Sequence, residues 1–165
     1  MSKLLTNELK MHNKLSLTNL YFNRFLAVRY STAFFLFLNL YWAVFLAGSL
    51  SIAVILPLFL FILAILTAFE QIKLYRKHSN HLPYARFFYR SLMIVCIMLM
   101  IALYSPLYHF FFPFLKNNQN VLNVMTVLLL VSLLITFLML KKLNKILRNE
   151  DKHFKRIQAY EDIIN

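Results

Sequence analysis

Six carboxylates are the only acids in the chain: Glu8, Glu70, Glu150, Asp151, Glu161 and Asp162. General acid–base chemistry needs two of them, or one beside a histidine, held within reach of one substrate atom. Glu150, Asp151 and His153 come nearest in sequence, but they sit in a charged stretch that reads as a solvated tail. His78 and His81 are spaced as metal ligands can be, yet no Cys, Asp or Glu accompanies them. His109 stands without a second histidine or a carboxylate nearby, and a lone imidazole at an interface is ordinarily structural. The single cysteine, Cys96, allows neither an intrachain disulfide nor a cysteine metal cluster, and inside an apolar run it reads as a small core or lipid-facing residue. One glycine in the whole chain leaves no glycine-rich phosphate cradle, and G-x-x-x-x-G-K-[ST] is absent. The reading is a protein that is no enzyme and that needs no cofactor and no metal.

Polar residues inside apolar runs are the other place to look, because lipid cannot satisfy them. Asn39 lies in such a run beside Tyr41 and Trp42, and its amide is expected to bond another helix or a partner subunit. Ser132 and Thr136, one turn apart, are expected to make an interhelical contact or to bond their own backbone carbonyls. Glu70 ends an apolar run one to two turns before Lys73, Arg76 and Lys77, which predicts an ion pair rather than a proton-coupling carboxylate. Arg86 and Arg90, interleaved with Tyr84, Phe87, Phe88 and Tyr89, are placed to hold an anionic lipid headgroup; the ordinary snorkelling belt of a helix end is the plainer explanation.

The elements that carry these residues are membrane helices. Of 165 residues 61% are hydrophobic, and the mean hydropathy is +0.63, more apolar surface than a soluble domain of this size can hide. Four runs qualify as spans: about 31–47, with 26–28 as an extension and Arg29 snorkelling; 50–69; 87–106; and 121–140. Twenty helical residues reach roughly 30 Å, the thickness of the hydrocarbon core. Continuous rather than alternating runs exclude a β-barrel. With only Gly48-Ser49 between the first two spans, an all-α fold of two antiparallel hairpins is expected, with a kink at Pro57. Between the third and fourth spans, 105–120 (SPLYHFFFPFLKNNQN) reads as an aromatic interfacial segment ending in a polar turn.

Charge sets the orientation. The net charge is +12, and in a soluble protein that would suggest nucleic acid. Here Lys and Arg cluster between apolar blocks, so anionic lipid replaces nucleic acid as the expected partner. Seventeen of the eighteen basic residues fall in the N-terminal arm (1–30), the loop between the second and third spans with its flanks (73–90), and the tail (141–165); Lys116 alone is left for the other face. The positive-inside rule puts both termini in the cytoplasm of a multi-pass plasma-membrane protein, and Lys, Asn, Ile and Phe richness suggests a low-GC bacterium.

Both ends are read as amphipathic. Helical spacing puts Leu143, Ile146, Leu147, Phe154, Ile157 and Ile164 on one face of the tail, opposite Lys141, Lys145, Arg148, Lys152 and Arg156. The arm (Ser2, Leu4, Leu5, Thr6, Leu9) is a weaker case, with a break expected at Asn13–Asn19. A chain without chemistry of its own but with a cytoplasmic docking stripe is expected to be a small accessory or regulatory subunit of a larger envelope or transport complex. A homo-oligomeric transporter or pore, and an immunity or lysis-related membrane protein, are the alternatives.

Overall fold

The computed structural model describes the backbone of residues 2–76 and 81–164, and the side chains of 19–20, 22–74 and 81–159. His78 and the arm's Leu4, Leu5 and Leu9, with their caps, therefore lie outside the described side chains, as does Ile164. The chain is 85% helical with no strand among the described residues. Helix α1 (Ser2–Gly48) leads through a 3-10 turn (Ile52–Val54) into α2 (Ile55–Arg76). Then follow α3 (Pro83–Leu103), the single-turn α4 (Tyr108–Phe111), α5 (Gln119–Leu147) and α6 (Lys152–Ile164). Four helical stretches are long and apolar enough to cross a membrane: Phe22–Gly48, Ile52–Leu74, Pro83–Leu103 and Gln119–Ala159.

Several boundaries differ from the sequence expectation. The break at Asn13–Asn19 does not occur, and α1 runs unbroken for 47 residues. Asn, Ser and Thr cost only a few tenths of a kcal/mol each in a helix, and no Gly or Pro interrupts the run. Pro57 falls not inside the second helix but in its first turn, because α2 starts at Ile55, and there its missing N–H owes no intrahelical bond. Ahead of it, Leu50 takes a left-handed φ of 53°, and the Ser51 hydroxyl accepts from Ala53 N to start the 3-10 turn. The tail does not continue as one helix. Asn149 adopts φ 57°, Asn149 N donates to Ile146 O (3.1 Å), and Glu150 N donates to Lys145 O (3.0 Å). These are the two bonds of a Schellman ending, with asparagine in the place glycine usually takes.

The core runs between neighbouring helices: α1 packs on α2, α2 on α3, α3 on α5, and α6 folds back on α1. Phe35, Leu60, Ala64, Phe88, Tyr89 and Ile146 are fully covered. The third span is the best covered, with 44% of its most apolar stretch buried, and the fourth the least, with 17%. Cys96 is buried on α3, as a small core residue is expected to be.

Candidate functional site

The residues with chemical capacity gather at one end of the helices. Arg24, on α1, is completely buried. Its Nε donates to both oxygens of Asp151 (3.1 and 2.9 Å), and its Nη2 to Asp151 Oδ1 at 2.6 Å. The same Nη2 donates to Ile146 O (3.1 Å) and Asn149 Oδ1 (3.0 Å), so the guanidinium ties off the reversal between α5 and α6. Phe25 and Phe154 stand 5.8 and 4.9 Å from its Cζ. Asp151 has a second task, since its Oδ2 accepts from Phe154 N (3.2 Å) and so caps α6. Bidentate pairing plus a cap satisfies both carboxylate oxygens, the condition under which a buried pair holds.

Two titrating neighbours feel this environment. His153 has its pKa pushed below 6.5, chiefly by desolvation, then by the charges of Lys142, Arg156 and Arg24; Asp151 acts in the opposite sense. Lys142 is lowered by desolvation, again against the pull of Asp151.

A second polar node joins α1, α2 and α3. Thr32 Oγ1 donates to Val28 O (2.8 Å), accepts from Gln71 Nε2 (2.9 Å) and lies 3.1 Å from the Tyr89 hydroxyl. Tyr89 also donates to Val28 O at 3.2 Å. Nearby, Arg29 lies over the Phe22 ring (4.5 Å) and donates to Gln71 O at 3.3 Å. At this end Glu70 makes no ion pair with Lys73, while Arg76 and Lys77 lie outside the described side chains. The Glu70 Oε1 accepts from Tyr84 N (3.2 Å) and its Oε2 from Ala85 N (2.9 Å), at the α3 N-terminus. Two otherwise orphaned N–H groups and the positive end of α3 give a carboxylate more than an exposed lysine does.

The sequence-predicted residues divide. Asn39 is buried, but its amide donates to Phe35 O (2.7 Å) on its own helix, so the expected interhelical bond is not made. Ser132 and Thr136 are buried, and Thr136 Oγ1 donates to Ser132 O (2.7 Å), the bond to its own backbone that was the alternative to an interhelical contact. Arg86 is half-buried and Arg90 exposed, and the structure does not bring them together with the clasp. Of the tail stripe, Leu143, Ile146 and Ile157 are buried within this chain, Phe154 is half-buried against Arg24, and Leu147 is exposed. The stripe expected to face a partner is thus largely taken up by the chain's own helices. Arg24 was legible only as a topology charge and Asp151 only as a solvated acid. The available signal was an Asp one residue before a helical stretch, the cap position, in a chain with few acids.

Comparison with protein-family models, with curated proteins and with solved structures gave no match to this chain.

Proposed function

We propose that this chain is a non-catalytic accessory or regulatory subunit of a bacterial plasma membrane, docked on a larger membrane protein of an envelope or transport complex. In this reading the spans form two antiparallel hairpins with both ends cytoplasmic. The basic residues support that orientation. So does the Arg24–Asp151 contact, which joins the base of the first span to the chain just beyond the fourth.

The observation that carries docking is a second seam on α5. Val124, Val127, Val131, Leu134 and Leu138 follow one another at alternating steps of three and four, and all are about half or more exposed. That is the heptad spacing with which one helix fills the holes of another. Leu129, Ser132, Thr136, Leu143 and Ile146, on the other side, already make such a seam within the chain. Polar groups that a conducting path would use are spent on their own backbones, as in Thr67 on Leu63 O and Thr126 on Leu122 O. This weighs against a pore.

The test is affinity purification of the full chain in mild detergent beside a Val127→Trp, Val131→Trp variant, which stays apolar but no longer fits a helix. The expected result is a stoichiometric larger membrane protein with the wild type and its loss from the variant. Recovery of wild type as a monomer overturns the proposal, and a homo-oligomer transfers the seam to a second copy.

A further inference from the structure

We propose that the groove between α1 and α2 binds one anionic phospholipid, its phosphate at Arg29 and an acyl chain along the helices. This goes beyond the docking role, since it concerns a groove on α1 and α2 rather than the α5 seam, and a different class of ligand.

The groove measures about 690 Å³. Ala33 on α1 and Ala68 on α2 open it, because neither carries the bulk that would close the space between the helices. Phe37 and Ile72, both more than half exposed, stand as its walls. The polar lining is confined to Arg29, Thr32 and Gln71. On α1 the positions 29, 32, 33 and 37 share one face, so the groove passes from charged to apolar along a single helix side. Arg29 and Gln71 also lie toward the basic ends of their spans, the level of a headgroup.

This polarity matches an amphiphile whose charge sits at the interface and whose tail runs into hydrocarbon. A water-soluble anion would meet the same guanidinium but leave the apolar length of the groove unused. The charge is also held in place. The Phe22 ring lies 4.5 Å from the Arg29 Cζ, and Gln71 O accepts from Nη2 at 3.3 Å, long for such a bond. A planar guanidinium fixed in this way presents a fork that suits a phosphate's paired oxygens.

Native mass spectrometry of the full chain, titrated in detergent with palmitoyl-oleoyl phosphatidylglycerol or phosphatidylcholine, tests the site. Wild type is expected to retain one phosphatidylglycerol in preference to phosphatidylcholine. Arg29→Gln should weaken that retention about fivefold, the scale of one basic residue at a lipid surface. Ala68→Leu should exclude both lipids while keeping every charge. Lys145→Gln removes a charge from the exposed face of α5 and should leave the preference intact. Circular dichroism and the unfolding temperature confirm that each variant is folded; if Ala68→Leu is not, the Arg29 and Lys145 variants decide. Equal retention of the two lipids by wild type overturns the proposal, as does equal loss in the Arg29 and Lys145 variants. Displacement by millimolar inorganic phosphate also overturns it, by assigning the site to a free anion.

Discussion

The two ends of this molecule are tied by different physics. At the basic end the ties are ionic or hydrogen-bonded: Arg24 to Asp151, Glu70 to the α3 N-terminus, Thr32 to Gln71. At the other end they are aromatic. Trp42 stacks on Phe112 (centroids 6.1 Å, 22° between planes) and Phe45 on Phe114 (5.2 Å, 23°). Backbone carbonyls finish the job there: Trp42 Nε1 donates to Phe111 O at 3.3 Å, and Ser51 Oγ to Phe110 O at 3.1 Å. The aromatic end depends on shape, where each ring lost subtracts contact area. The ionic end depends on completeness, because a charge without its partner is worse than no charge.

The largest effect should follow from Asp151→Ala, which strands a buried guanidinium at a cost of about 3–5 kcal/mol. Thermal unfolding in detergent and protease cleavage around Arg148 should both show it. Pairing the change with Arg24→Leu should recover most of the loss, and a single variant that melts like wild type would deny that the pair is desolvated. Trp42→Ala should cost less, about 2 kcal/mol, because the indole is only half-buried. Its damage should stay at the aromatic end, with cleavage at Arg148 unchanged; faster cleavage there would mean the two ends are not independent.

The smallest effect is a pH dependence. The docked tail lowers the His153 pKa, so below about 6.5 the undocked tail binds the proton first and docking weakens as pH falls. Cleavage of the α6 segment should therefore be faster at about pH 5.5 than at about 7.5, and His153→Gln should shrink the difference. A difference of the same size in that variant would assign the acid sensitivity to another group.

The spans were legible in the sequence because each is a long apolar run and lipid permits little besides a helix there. Thr136 was legible as a small polar residue with two ordinary partners, and it bonds its own backbone. The clasp was not. Helical periodicity drew the tail stripe correctly, since Leu143, Ile146 and Ile157 are indeed buried, but periodicity carries no information about what covers a face. The reversal at Asn149 hid for a related reason: no glycine marks it, and asparagine at a left-handed position is legible only once the next helix is known to turn back. The capping role of Glu70 was not legible, because its neighbours in sequence are lysine and arginine, and only the fold brings the N–H groups of Tyr84 and Ala85 to it.

Arg24 and Asp151 stand 127 residues apart. A ribosome makes the first long before the second, and all four spans must be synthesised in between. Until then the guanidinium has no carboxylate to close on, and the base of α1 stays hydrated with α6 yet to come. Closure of the pair is therefore a late event in biogenesis. A nascent chain that stalls short of Asp151 exposes the arginine and its neighbour Phe25, a surface by which membrane quality control can tell an unfinished molecule from a finished one.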